Sequence, residues 1–145
     1  MRRGFTLVEI LVVLAILGIL MAALSFGLSS ARRQGLLTQA AAHGGEVSMA
    51  LNAFLIRNID LDLDTWTASL PAGSLAGAPP SLAGLSGFDC KSAATLTRSG
   101  MTPDGQSWAA APDAVGCLVE RVGNRFLVHT WVRDLPNHFV NGRPN

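Results

Sequence analysis

Glu9 is the residue whose chemistry most needs a partner. It stands in "GFTLVEILVVL" (Gly4 to Leu14), at the head of a segment that runs from Ile10 to Ala31 without a charged residue. A carboxylate carried into a membrane helix costs about 2.5–3.5 kcal/mol on insertion scales, so it requires a compensating group. A cut between Gly4 and Phe5 would free an α-amino group four residues before Glu9. That ammonium would neutralise the carboxylate, in its own chain or across to a neighbour. Burying Glu9 would then be tolerable only beside such an ammonium, which makes the pairing an assembly device.

Other chemistry-bearing residues form weaker patterns. Asp60, Asp62 and Asp64 stand as D-x-D-x-D in "IDLDLDTW". A calcium loop of the EF-hand kind also needs a Gly and a distal acidic residue, and the corresponding places hold Thr65 and Pro71, so that motif fails. With Ile59, Leu61 and Leu63 between the aspartates, the stretch reads as a strand or turn with its polar side wet. No metal is assigned, and these aspartates are its only candidates. His43, His129 and His138 are scattered without ligand spacing. No Gly-rich phosphate loop, nucleophile elbow or catalytic carboxylate pair is visible, so neither catalysis nor a cofactor is expected. Arg121, Arg125, Arg133 and Arg143 bias the C-terminal segment towards phosphate contacts. They are not interleaved with aromatics, and acidic residues outnumber basic ones after Arg57, so solvated charge is the simpler reading.

These residues must be positioned by a short chain. At 145 residues there is room for one domain, and eleven basic against ten acidic side chains predict no nucleic-acid or membrane-surface partner from bulk charge. As a helix, Ile10 to Ala31 rises about 33 Å, enough to cross a hydrocarbon core of roughly 30 Å. Arg2 and Arg3 would hold the preceding end in the cytoplasm; Arg32 and Arg33 directly after the segment weaken that preference. A secretory signal peptide cut near Ser29-Ser30-Ala31 would have an apolar region longer than usual, interrupted by Glu9. A plain membrane anchor explains the length but not Glu9. Cys90 and Cys117 suit an oxidising compartment and one disulfide. In the chain-entropy model, closing a loop of about 28 residues is worth roughly 3–4 kcal/mol.

Arg2-Arg3-Gly4-Phe5-Thr6-Leu7-Val8-Glu9 resembles the processing motif of type IV pilins and pseudopilins: a basic leader ending in Gly, then Phe-Thr-Leu-x-Glu, then an apolar helix. The resemblance covers about the first thirty residues. It implies that prepilin peptidase cuts after Gly4, that Phe5 becomes the N-methylated first residue, and that Glu9 acts in subunit docking. It implies as partners other copies or other pilins in a filament, the peptidase, an inner-membrane assembly platform, and the membrane before assembly. Many major pilins carry a Pro midway along the apolar segment. Here that region reads Leu24-Ser25-Phe26-Gly27-Leu28, a departure that bears on the major-subunit role.

The expected fold is α+β: a long N-terminal helix, apolar in its first half, packed on a small antiparallel sheet. Residues 1–4 form the leader, 5–57 the helix (about 10–31 crossing the membrane) and 58–145 the head. Leu36, Ala40, Val47, Leu51 and Phe54 recur at helical spacing, while Gly35 and Gly44-Gly45 are places to bend or pack closely. Residues 58–89, rich in Gly, Pro, Ala and Ser, read as a long surface loop with at most short helical turns. "GCLVERV" and "RFLVHTWV" flank Gly123-Asn124, a two-residue hairpin signal. That turn sets Cys117 opposite Thr130 and Val119 opposite Val128, with Phe126 and Val132 on the same face, against Leu51, Phe54 and Leu55. The other face carries Glu120, Arg125, His129 and Arg133 and reads as solvated. Leu118, Leu127 and Trp131 there need either a loop or a neighbouring subunit over them. Ala93–Arg98 reads as a third strand and Gln106–Ala111 as a less marked fourth.

The function this implies is structural: a subunit of a type IV pilus or pilus-like filament, waiting in the inner membrane with its N-terminus cytoplasmic and its head periplasmic, then joining a surface filament. The alternatives are a pseudopilin of a type II secretion system and a minor pilin whose head binds DNA or a surface.

Overall fold

A computed structural model describes residues 6–91 and 108–145, without the side chain of Phe26. The first element, α1, is a helix over Leu7–Arg57. Contacts divide the chain into two units, up to Gly35 and from Leu36 onward. Among the described residues of the first unit the apolar side chains of the helix face outward: Leu7 is 75% exposed, Leu28 is 70% exposed, and the large ones between them are exposed too. It is long and apolar enough to cross a membrane.

The second unit is built on an antiparallel meander. Strands β1 (Phe88–Asp89), β2 (Val115–Val122), β3 (Arg125–Val132), β4 (His138–Val140) and β5 (Arg143–Pro144) lie in the sheet in chain order. The β2–β3 hairpin has the expected register, Cys117 opposite Thr130 and Val119 opposite Val128. Gly123 supplies the positive φ (+62°) that a two-residue hairpin turn with Gly at its first central position requires. A second tight turn, Asn141-Gly142, joins β4 to β5, with φ of +50° and +78°. Both central residues are left-handed, as a type I′ turn demands.

One sheet face packs on the later half of α1. Val47, Leu51 and Phe54 meet Cys117, Val119, Phe126 and Val128 in the main core, with Leu55 partly buried beside them. Ala40 meets Val115 and Val132 nearby. The helix comes unusually close at Gly44, where an added Cβ would stand 2.9 Å from Thr130 Oγ1. The Thr130 hydroxyl donates to Ala40 O at 2.8 Å, anchoring that close approach. Gly44 therefore serves close packing. Gly35, by contrast, has open space where a Cβ would be, and α1 stays helical through both positions.

Residues 58–89 differ from the expected surface loop. They contain a second helix, α2 (Leu63–Ala68), a 3₁₀ turn at Pro80–Leu82, and strand β1. Trp66, Leu70 and Phe88 enter the main core, where the Trp66 ring lies 5.0 Å from Phe54 and 5.9 Å from Phe126. Leu82, with Leu75, Ala78 and Leu85 around it, covers Leu118 and Trp131 on the second sheet face. That face is solvated only in part: Arg125 and Arg133 are exposed as expected, but His129 is 6% exposed, and a segment of the same chain covers it. The uncharged Gly- and Pro-rich composition concealed large apolar anchors that bury without helical or strand periodicity.

The two other expected strands fare differently. Ala93–Arg98 lies outside the described residues. Trp108 to Ala111 form no strand; Trp108 is buried in the main core, and Ala111 N–H donates to Lys91 O at 2.9 Å. The neighbour of β2 on its outer edge is β1, with Phe88 opposite Val119.

Candidate functional site at the head of the apolar helix

Thr6 and Glu9 start α1 together. The Thr6 N–H donates to Glu9 Oε2 at 2.8 Å and the Thr6 hydroxyl to the same oxygen at 2.9 Å. In return, Glu9 N–H donates to Thr6 Oγ1 at 3.3 Å. Thr6 is thus the N-cap and Glu9 the third helical residue, the reciprocal arrangement of a capping box. Two backbone N–H groups that the first helical turn leaves without a partner are satisfied, and the carboxylate bends back towards the chain preceding the helix. Gly4 and Phe5, the expected cleavage and methylation residues, lie outside the described residues. Thr6 was not among the residues expected to matter, although Thr-x-x-Glu before an apolar run carries that signal.

Residues 1–25 match the family model described as the prokaryotic N-terminal methylation motif. The chain carries the type IV pilin and pseudopilin signature. No curated protein and no solved structure matches the chain. For a pilin-type chain the signature implies processing by prepilin peptidase and assembly into filaments with other pilins. Together with the apolar helix, it fits a single-pass inner-membrane anchor.

In the second unit the remaining candidates are dispersed. Cys90 and Cys117 form a disulfide with Cα atoms 5.3 Å apart, buried in the main core. His43, from α1, reaches the Cys90 carbonyl with Nε2 at 3.0 Å, so the ring donates there and ties the helix to the bridged strand. Burial lowers its pKa from the usual imidazole value, against the opposing pull of that carbonyl and of the Glu46 and Asp89 charges.

The three aspartates are all exposed, as a turn with its polar side wet requires, but they take separate roles. Asp62 caps α2, accepting from Asp64 N–H at 3.1 Å and the Thr65 hydroxyl at 2.6 Å. Those two donors hold its carboxyl below the usual range. Asp64 pairs with the Arg121 guanidinium, and Asp60 sits exposed in the turn after α1. The short α2 formed because Asp62 offered an N-cap and Trp66 a core anchor, both of which outweigh the alternation of Ile59, Leu61 and Leu63.

The four arginines are likewise not one surface. Arg121 is engaged by Asp64 and donates from Nε to Gly123 O at 2.9 Å. Arg125 stands at the hairpin turn, Arg133 lies over Gly77, and Arg143 is on β5. Of the remaining histidines, His129 lies 3.2 Å from Glu120, and His138 lies 3.2 Å from Ser81 and 2.8 Å from Asn145.

Proposed function

We propose that this chain is a structural subunit of a type IV pilus or pilus-like filament, held in the inner membrane until it polymerises through its N-terminal helix. Residues 1–4 are the leader, removed after Gly4 by prepilin peptidase. Phe5 becomes the N-methylated first residue, residues 10–31 cross the bilayer, and residues 58–145 form a periplasmic head. An inner-membrane assembly platform then moves the subunit into a filament that reaches the cell surface.

The observation that carries this reading is the Thr6–Glu9 pair at the start of a helix whose large apolar side chains up to Leu28 are exposed among the described residues. A stripe of Leu, Ile and Val exposed all round a helix is stable only in lipid or among other apolar helices. The carboxylate at its leading end is expensive in either place unless it is paired. Glu9 already reaches back to the N–H of Thr6, next to the residue that cleavage would turn into an ammonium. On this reading the carboxylate that caps the helix in the precursor takes the new ammonium as its partner after cleavage.

The test is the intact mass and N-terminal sequence of the protein from sheared surface filaments and from membranes. A chain beginning at methylated Phe5 in the filaments supports a pilus subunit. The same processed chain confined to membranes supports the second reading, a pseudopilin of a type II secretion system, which the absence of a helix-kinking Pro between Leu24 and Leu28 favours. A chain beginning at Arg32 overturns both.

A further inference from the structure

Two buried histidines meet beneath the segment that covers the outer face of the sheet. The rings of His129 on β3 and His138 on β4 lie 6.5 Å apart, and the residues are 6% and 8% exposed. The Asn145 amide nitrogen faces His138 Nε2 at 2.8 Å, so Nε2 accepts. The proton of the neutral ring is then on Nδ1, which donates to Ser81 Oγ at 3.2 Å. With the amide in this orientation, both ring nitrogens are satisfied in the neutral ring. Desolvation, and then the neighbouring His129, lower the His138 pKa from the usual imidazole value.

The groups around His138 offer little to offset a positive charge. β3 brings His129, whose Nδ1 is buried without a hydrogen-bond partner. β2 brings Glu120, already 3.2 Å from His129 Nε2. β5 brings Arg143, opposite Val140 and so on the same sheet face, and the Pro80–Leu82 turn brings Ser81 and no charge. A second proton on His138 would oblige the Asn145 amide to turn over and would place a charge beside His129, 6.5 Å away between ring centres. Relief requires water, and one of the covering elements must move to admit it.

The elements differ in how firmly they are held. The β4–β5 hairpin is paired in the sheet, and Asn141 bonds both the N–H and the C=O of Val128, at 2.9 and 2.8 Å. Its Gly142 is pressed against α1, where an added Cβ would stand 2.7 Å from Ala41 O. Among the described residues, Ala78–Leu85 is tied to the sheet by one hydrogen bond, Ser81 to His138, and otherwise by apolar contact with Leu118 and Trp131. We propose that the His129–His138 pair is a proton-sensitive latch: in acid, Ala78–Leu85 lifts from the sheet and uncovers Leu118 and Trp131 as an apolar patch. The latch belongs to the head and does not depend on how the N-terminal helix is used.

The test is amide hydrogen exchange of the full chain in detergent micelles at pH 7.5 and 5.5, corrected for the intrinsic pH dependence of exchange. Protection of peptides spanning Ala78–Leu85 falls severalfold more at pH 5.5 than that of β3 and the later half of α1, whose loss reports opening of the whole head. In His138→Gln, which keeps polar contacts but takes up no proton, the segment loses no more protection than β3 does. Ser81→Ala lowers protection of the segment already at pH 7.5. Equal protection of the wild-type segment at both pH values overturns the latch, as does a loss no greater than that of β3 or an undiminished excess loss in His138→Gln. If the glutamine variant does not fold, unchanged protection in Ser81→Ala at pH 7.5 is enough to overturn it.

Discussion

Trp131 lies directly across the central hairpin from Gly116, and its indole fills the space that a side chain at 116 would take. A Cβ on Gly116 would come within 2.1 Å of Trp131 Cε2. Gly116 sits in ordinary extended strand backbone, so its role is steric rather than conformational. Gly116→Ala must displace a wholly buried indole from beneath Leu82, and should cost about 1–3 kcal/mol or more as an overpacked core does. Urea unfolding of the full chain in micelles measures this. Wild-type stability in the variant would mean the indole is not seated over Gly116.

The disulfide fastens β2 to the chain leaving β1 in a head with a modest core. Cys90 and Cys117 are both buried, and 27 residues separate them. Replacing both with Ala should destabilise the head by about 2–5 kcal/mol, the range seen when small exported domains lose a bridge. Thermal unfolding of wild type with and without reductant, compared with the double variant, checks this. Reductant should bring the wild type towards the variant and leave the variant unmoved.

Sequence patterns predicted those elements whose partners are close along the chain. The β2–β3 register followed from the two-residue turn at Gly123-Asn124, because a side-chain period of two leaves no freedom once the turn is set. The core side of α1 was visible in Leu36, Ala40, Val47, Leu51 and Phe54. The Asn141-Gly142 dipeptide carries the same kind of turn signal, but the strands beside it are too short to show alternation. Leu75, Leu82 and Leu85 were beyond pattern reasoning. Their burial depends on a tertiary surface made by Leu118 and Trp131, not on spacing within their own segment. At the candidate site, Glu9 drew notice because a charge in an apolar run is costly, whereas Thr6 draws none until its hydroxyl is placed on that carboxylate.

Acid should weaken the head through His43 as well as His138. Burial lowers the folded-state pKa of His43, so below the ordinary imidazole value of 6.5 the unfolded chain binds more protons than the folded one. Stability is therefore fully present above pH about 6.5, falls as the pH drops below it, and levels off once the folded-state pKa is passed. Chemical denaturation between pH 8 and pH 5 measures the slope (about these limits). His43→Gln, which still offers an N–H to the Cys90 carbonyl, should flatten that slope. An unchanged slope would assign the acid sensitivity elsewhere.

The α2 cap gives a local test of the D-x-D-x-D stretch. Asp62→Ala removes the acceptor of both Asp64 N–H and the Thr65 hydroxyl, and should cost about 1 kcal/mol. Asp60→Ala, in an exposed turn, should cost close to nothing. Equal effects of the two substitutions would show that Asp62 is not acting as a cap.

Thr6 and Glu9 can be separated because only one carries charge. Glu9→Gln keeps the size and one acceptor oxygen but cannot neutralise an ammonium. On the proposed function it should be cleaved after Gly4, stay in the membrane, and enter filaments poorly. Thr6→Ala removes the hydroxyl that accepts from Glu9 N–H and donates to its carboxylate but keeps the Thr6 N–H bond to Glu9, loosening the first turn by about 1 kcal/mol while leaving the charge in place. It should therefore assemble at a reduced level, and Thr6→Ser, which restores the hydroxyl, should recover it. The readouts are the mass of the processed chain and its ratio between filaments and membranes. If Glu9→Gln assembles like the wild type, the charge pairing has no part in assembly. If Thr6→Ala and Thr6→Ser assemble equally well, the capping box has none either.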